Sequence, residues 1–288
     1  MSGLGWRCTL HEHHPDTRIG YRRYFCIMEA SSLVEDLGSI VLVLSIGSLV
    51  GFILGFLGVS GVILVPLLIF AGIPTHTAIG SSLVYIVFTA ISGLIQYRKQ
   101  KNLDLKLALP LSCSSVVTAQ IGAITTLYIE ARYLEVLLAI MLLGTAIRMI
   151  IQRDIGEYER SYGGIEASIW CRVVIAVSIG LLTGFLSGLL GVGGGFLLVP
   201  LLVIVLHTPI HTAIGTSLMT VIGSAASGAI RHWMIGNVDP VLVGILSVGG
   251  IVAAPLGAKV CRKFSQKQLR RIFSAVLIVL AFKLLAPA

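Results

Sequence analysis

At 288 residues, 56% hydrophobic and only 12% charged, with a mean hydropathy of +0.96, the chain is too apolar to hide its side chains in one water-soluble core, since soluble domains carry about 25% charge. The formal net charge of +8 comes from Lys and Arg in short clusters between apolar runs, the pattern of basic cytoplasmic loops and not of a nucleic-acid surface interleaved with aromatics. Stretches such as 39–59 and 173–190 are apolar all round, which excludes the alternating strands of a membrane barrel and predicts an all-α polytopic membrane protein.

Residues 1–27 form a polar leader with Arg7, Arg18, Arg22 and Arg23 and the cluster His11-Glu12-His13-His14. Nothing fixes the geometry of those imidazoles, so the segment reads as a flexible leader that need not belong to the native chain, not as a metal site. Met28 opens an acidic preface, Met28-Glu29-Ala30, suited to a natural start. From there residues 28–151 form a first transmembrane repeat, 152–171 a cytoplasmic linker and 172–288 a second repeat.

The duplication is clearest where Pro74-Thr-His-Thr-Ala-Ile-Gly-Ser-Ser-Leu83 faces Pro209-Ile-His-Thr-Ala-Ile-Gly-Thr-Ser-Leu218, identical at eight of ten positions with a shift of 135. Gly51 to Gly61 likewise matches Gly184 to Gly194, and Ser92-Gly93, Asn102 and Asp104 match Ser227-Gly228, Asn237 and Asp239. Each copy reads as five membrane elements: 39–59, 62–73, 76–96, 105–127 and 133–151 in the first, then 172–192, 196–207, 211–231, 240–258 and 268–286 in the second. The second element of each is too short for the ~30 Å hydrocarbon core and holds a proline, Pro66 or Pro200, so it is a broken or re-entrant helix.

Loop charge sets the relation of the copies. After the third element the first copy has Arg98, Lys99, Lys101 and Lys106 where the second has Arg231. After the fourth the order reverses, Arg132 against Lys259, Arg262, Lys263, Lys267, Arg270 and Arg271. Equivalent loops therefore lie on opposite sides of the membrane, and the two five-element repeats are predicted to be inverted, with the linker inside and the N-terminus outside.

The first four elements of each copy hold no Asp or Glu away from their ends, and Asp104 and Asp239 precede apolar helices as N-caps. Glu135, in the fifth, is near an interface. A buried cation needs compensating carboxylates, so the interior suits an anion better. Two clusters offer anion donors. Gly58, Ser60 and Gly61, with Gly191, Gly193, Gly194 and Gly195, lie where one helix stops and a short one starts, freeing backbone N–H groups; close helix packing is the competing explanation. Thr77, Gly80, Ser81 and Ser82, matched by Thr212, Gly215, Thr216 and Ser217, place hydroxyls in the first turns of the third elements, where they either meet an oxyanion or bond back to their own helix. Gln120 contacts substrate or bridges two helices. Gly51, Gly55, Gly184 and Gly188, at GxxxG spacing, read as packing positions, and His76 and His211 as capping or interfacial histidines.

Five cysteines without CxxC spacing read as unpaired, those at 113, 171 and 261 as small buried hydrophobes, and no HExxH, P-loop or Rossmann pattern implies a metal or cofactor. Gly58-Val59-Ser60-Gly61 spells the GxSG of rhomboid-type intramembrane serine proteases, but the second copy has Gly193 in place of Ser60 and no histidine base is at hand, so an enzyme is the remote alternative. A non-transporting scaffold is the nearer one; it would scatter these hydroxyls and glycines, where a carrier would gather them.

The stretch from Gly184 to Pro200, the decapeptide from Pro209 to Leu218 and their first-half echoes resemble the TauE/SafE sulfite-exporter family, over about Leu37 to Leu285. The resemblance implies a multi-pass permease of the cell membrane for a small, often sulfur-containing anion such as sulfite, sulfonate, thiosulfate or a related organic acid. Its partners would be that solute and the lipid bilayer, with homodimer formation left open.

Overall fold

The computed structural model of the chain describes residues 37–130, 169–206 and 208–265, with scattered helical positions between 132 and 147 and between 268 and 279. The leader, the linker, Glu135 and most of both fifth elements lie outside the described residues. Among those described, all regular structure is helical. The first copy supplies α1 (Leu37–Leu57), α2 (Gly61–Phe70), α3 (Thr75–Lys99) and α4 (Leu105–Thr125); the second supplies α5 (Ile169–Leu190), α6 (Gly195–Ile204), α7 (Ile210–Ile235) and α8 (Pro240–Cys261). All except α2 and α6 are long and apolar enough to cross a bilayer, which makes six candidate spans.

The local starts and stops follow from sequence. Asp104 and Asp239 cap α4 and α8, each carboxylate accepting from the two amides that follow: Lys106 and Leu107 in one case, Val241 and Leu242 in the other. Pro240 then takes the first helical position, where its missing N–H costs nothing. α1 and α5 end at Leu57 and Leu190, two residues before the expected 59 and 192, because Gly58 and Gly191 take positive φ values of 76° and 68°. α3 and α7 start at Pro74 and Pro209, so His76 and His211 lie inside their helices and are not the capping residues.

The helices sort into two bundles that cut across the sequence copies. α1 and α3 pack with α8, and α5 and α7 pack with α4, so each copy lends its fourth element to the other. The seam between α1 and α8 is made by Gly47 on Leu246, Gly51 on Gly250 and Gly55 on Ala254. Its counterpart between α5 and α4 pairs Gly180 with Leu111, Gly184 with Ser115 and Gly188 with Ala119. Residue numbers rise together along both seams, so the paired helices run parallel. A Cβ on Gly51 would lie 2.5 Å from Gly250 Cα, which explains why only glycine serves there.

The two bundles meet along α3 and α7. Leu83 lies on Gly228 and Leu218 reaches Gly93, so these equivalent helices are antiparallel. In the first bundle α3 runs parallel to α8, with Gly80 beside Asn237 and Ser92 Oγ donating 2.7 Å to the Ile251 carbonyl. The second bundle repeats this between α7 and α4, where Gly215 lies beside Asn102 and Ser227 Oγ donates 2.7 Å to the Val116 carbonyl. These directions bring Arg98, Lys99 and Lys106 of the first copy to the same end of the molecule as Lys259, Arg262 and Lys263 of the second. Arg231 sits at the opposite end. The outward faces of α1, α4, α5 and α8 expose Leu49, Val117, Val174 and Val252, all more than half accessible, as a lipid-facing surface requires.

Candidate functional site

The centre of the molecule is where the two helix breaks cross. α2 and α6 are ten residues each, which at 1.5 Å per residue covers about 15 Å, half of a ~30 Å core. Their N-termini therefore fall inside the protein. The break before α2, Gly58 to Ser60, runs alongside the break before α6, Gly191 to Gly194. A Cβ on Gly61 would lie 2.5 Å from the Gly191 carbonyl oxygen, and Gly195 abuts the carbonyl of Gly58. Gly191, Gly193 and Gly194 all have φ near +70°, a conformation open to glycine and costly for other residues.

A helix start leaves its first amides without intrahelical acceptors. Among the described residues the amides of 59–62 and 192–196 donate to no carbonyl, the first bonds of the two helices being made by Ile63 and Leu64 to Ser60 and by Leu197 and Leu198 to Gly194. Neither N-cap supplies a side-chain bond: Gly194 has no side chain, and Ser60 makes none. Ser60 is 2% exposed and its Oγ has no partner. The crossing thus gathers unpaired N–H donors and one free hydroxyl in a buried place, where such groups are costly unless something accepts from them.

The predicted hydroxyls divide into two sets. Ser82 and Ser217 face the breaks. Ser82 Oγ lies 2.8 Å from the Gly191 carbonyl oxygen and 2.8 Å from that of Ile79, and Ser217 Oγ donates 2.8 Å to Ile214 and would lie 3.1 Å from a Cβ on Gly58. Ser81 and Thr216 instead act as latches: their oxygens accept from the amides of Asp239 at 3.0 Å and Asp104 at 3.1 Å, tying the starts of α8 and α4 to α3 and α7. Gly80 and Gly215 belong with these latches, since a Cβ on either would overlap the carbonyl of Asn237 or Asn102. Thr77 and Thr212 are half-buried one turn before the latches. Gln120 bridges two helices, its Nε2 donating 2.7 Å to the Ser227 carbonyl. Of the cysteines, Cys261 is buried as expected and Cys113 is exposed on α4.

Reasoning from the decapeptide motif alone misses how far the hydroxyl row extends. Carrying the shift of 135 along α3 and α7 pairs Tyr85 with Thr220, Thr89 with Ser224 and Ser92 with Ser227, so from Ser81 and Thr216 onward each helix has hydroxyls at five equivalent positions. All are buried except Ser92. Thr183 and Ser187 on α5 extend this polarity in the second bundle, where Ser187 Oγ lies 3.3 Å from Ser224 Oγ; their counterparts on α1 are the apolar Val50 and Leu54. The centre is therefore more polar on the side of the second copy.

Six apolar spans among the described residues, exchanged fourth helices and paired interrupted helices with inward N-termini define a multi-pass membrane protein of the transporter kind. The model of the family described as sulfite exporter TauE/SafE matches residues 43–284, and the chain belongs to that family. It is 33% identical over 221 residues to the protein named "Probable membrane transporter protein YdhB" of Bacillus subtilis, covering 76% of this chain and 89% of the relative. It is 26% identical over 266 residues to the same organism's "Probable membrane transporter protein YunE", covering 86% and 97%. A relative in Methanocaldococcus jannaschii, "Probable membrane transporter protein MJ0441", is 29% identical over 267 residues, covering 85% and 96%. No solved structure matches the chain at a significant level. The chain is a membrane transporter, and its relatives are named as transporters and not as proteases.

Proposed function

We infer that this transporter moves a small oxyanion, sulfur-containing or organic, such as sulfite, a sulfonate or thiosulfate, by alternating access between two inverted repeats. The observation that carries the reading is the crossing of the two helix breaks, with its buried unpaired amides and the unpartnered Ser60 hydroxyl. Neutral donors suit an anion that must also leave, because they hold negative charge without the deep well of a buried ammonium. The antiparallel run of α3 and α7 and the parallel seams within each bundle support the inverted relation. So does the gathering of the basic residues of both copies at one end, which is then cytoplasmic.

In this mechanism Gly58 to Gly61, Gly191 to Gly195, Ser82 and Ser217 bind the anion. The two latches close the ends: Ser81 with Gly80 over Asn237 and Asp239 on one side, Thr216 with Gly215 over Asn102 and Asp104 on the other. Rocking one bundle against the other opens one latch while its counterpart stays shut. The test is a flux and binding screen of purified protein in proteoliposomes against sulfite, sulfate, thiosulfate, taurine-like sulfonates and short carboxylates. Gly194→Leu and Ser217→Leu are expected to abolish exchange of the responding anion while the protein still inserts and stays monodisperse. Unchanged exchange in both variants would remove the site assignment.

A further inference from the structure

Among the described residues, His232 on α7 is the one fully buried histidine, and the anion site does not use it. Its Nε2 lies 3.3 Å from the Gly188 carbonyl oxygen. A carbonyl only accepts, so Nε2 carries the hydrogen and Nδ1 presents its lone pair to Asn237 Nδ2, 3.5 Å away. Gly188 lies in the last turn of α5, where the carbonyl end of the helix dipole favours a cation. If the Asn237 carboxamide turns, its oxygen can accept from a protonated Nδ1, and both nitrogens of an imidazolium are then satisfied. The position equivalent to His232 in the first copy is Tyr97, whose hydroxyl donates 2.8 Å to the Gly55 carbonyl in the last turn of α1. Both copies keep a ring that donates to the end of the first helix. Only the second copy uses a ring that can take up a further proton.

His76 leads toward that ring. It lies one turn before Gly80 on the same face of α3, and a Cβ on Gly80 would be 3.1 Å from His232 Cβ. His76 is half-buried and its Nδ1 has no partner. Among the described residues the other charged groups at this end are Arg231 on α7 itself, whose Nε is buried without a partner, Asp239, whose carboxylate caps α8, and the exposed Arg132 beyond α4. From α5 only the Gly188 carbonyl faces the ring, while the described parts of α4 and α6 bring no ionisable side chain to this level and Glu130 beyond α4 is exposed.

We propose that His232, reached through His76, is the proton site of this carrier: an imidazolium held between the Gly188 carbonyl and the Asn237 carboxamide that travels with the anion bound three residues further on, at the Gly191 to Gly195 break. The proton enters from the end opposite the basic cluster, resides on His232 Nδ1 and is released on the other side when the anion leaves. This gives proton coupling without a buried carboxylate. It rests on the carrier reading above.

The test uses full-length protein in proteoliposomes with labelled sulfite as probe, comparing wild type with His232→Tyr, which installs the residue the first copy already accommodates, and with His76→Gln. Exchange of sulfite at equal pH reads the carrier function alone, and accumulation driven by an imposed pH difference reads the coupling. For one proton per anion in electroneutral symport, a difference of one pH unit supports about tenfold accumulation. Wild type is expected to show it, His232→Tyr to exchange sulfite yet lose the pH-driven accumulation, and His76→Gln to slow it. A His232→Tyr protein that accumulates sulfite as wild type does, or a wild type that exchanges without responding to the gradient, overturns the proton site and leaves the carrier reading standing. A wild type that exchanges no anion in the wider screen defeats the carrier reading instead. Histidine ¹⁵N NMR then judges the site by itself, since a His232 ring that stays neutral between about pH 8 and pH 4 overturns it, and one that takes a proton on Nδ1 supports it.

Discussion

Replacing Ser60 with alanine should make the empty protein more stable and the transporter worse. The hydroxyl is 2% exposed, lies at the N-cap of α2 without capping it, and finds no acceptor or donor. Leaving a buried polar group unmade costs about 1–3 kcal/mol, and alanine removes that group while keeping the Cβ and the backbone preference. Ser60 already carries a Cβ at φ −136° and ψ −50°, so alanine is no more strained there than serine. A gain of about 1 kcal/mol is expected, seen as a rise of a few degrees in the melting midpoint of detergent-solubilised protein. If the hydroxyl meets the anion, the same change removes one hydrogen bond to a charged ligand, about 1.5–3 kcal/mol, so binding should weaken by about tenfold or more. Thermal shift with and without the anion measures both effects on one sample. A Ser60→Ala protein that is less stable when empty, or that binds with unchanged affinity, refutes the idea that this hydroxyl is held open for a solute.

Gly51→Ala places a methyl 2.5 Å from Gly250 Cα, where ordinary contact begins near 3.4 Å, so α1 and α8 must separate by almost 1 Å and the Tyr85 bond of 2.6 Å to the Gly47 carbonyl is stretched. Overpacking of this kind costs about 1–3 kcal/mol, whereas Gly244→Ala on α8, with no atom within 4 Å, should be neutral or stabilising; equal melting midpoints for the two variants would contradict the seam. Asp104→Ala removes the carboxylate that caps α4 and should lower stability by about 1 kcal/mol, with Asp239→Ala doing the same at α8, both read by thermal melting. Thr216→Val deletes the acceptor of the Asp104 amide and should shift the carrier toward the state open at the basic end, measured as faster labelling of Asn102→Cys from that side. Lys101→Cys should react with an impermeant thiol reagent from the cytoplasmic side only, and reaction from outside would reverse the assigned orientation.

Much of the fold is legible because a bilayer leaves few choices. The span-length apolar runs, the short proline-bearing second elements and the GxxxG positions each express one local constraint, and the helices follow them to within a few residues. The acidic caps could be read from Asp104 and from the pair Asp239-Pro240 for the same reason. The exchange of α4 and α8 could not be read this way. Nothing in either helix names its partner, and both copies would satisfy the same pattern if each kept its own fourth element. Gly180, Gly184 and Gly188 announce a close approach without saying that Leu111, Ser115 and Ala119 arrive there. The site was half legible for a related reason. A serine in the first turn of α3 can donate to a ligand, to its own helix or to a neighbouring loop, and only packing assigns Ser82 to the break and Ser81 to the Asp239 amide.

The departures from symmetry carry the functional information, because symmetry accounts for the rest. Tyr97 and His232, Ser92 and Ser227, Ser81 and Thr216 make matching bonds in the two bundles, so these pairs describe a scaffold that works equally well facing either way. A perfectly symmetric carrier would have no reason to prefer one side. Three of the differences lie at the crossing or on the helix that leads into it: Ser60 against Gly193, Thr183 and Ser187 against Val50 and Leu54, and the imidazole of His232 against the phenol of Tyr97. All three bear on the crossing of the breaks or on the helix that leads into it, and each gives one side a polar group or a proton acceptor that the other lacks. If the proposed carrier reading holds, direction, coupling and anion choice are expected to depend on positions such as these, and exchanging residues between the copies, one pair at a time, separates what turns the molecule around from what loads it.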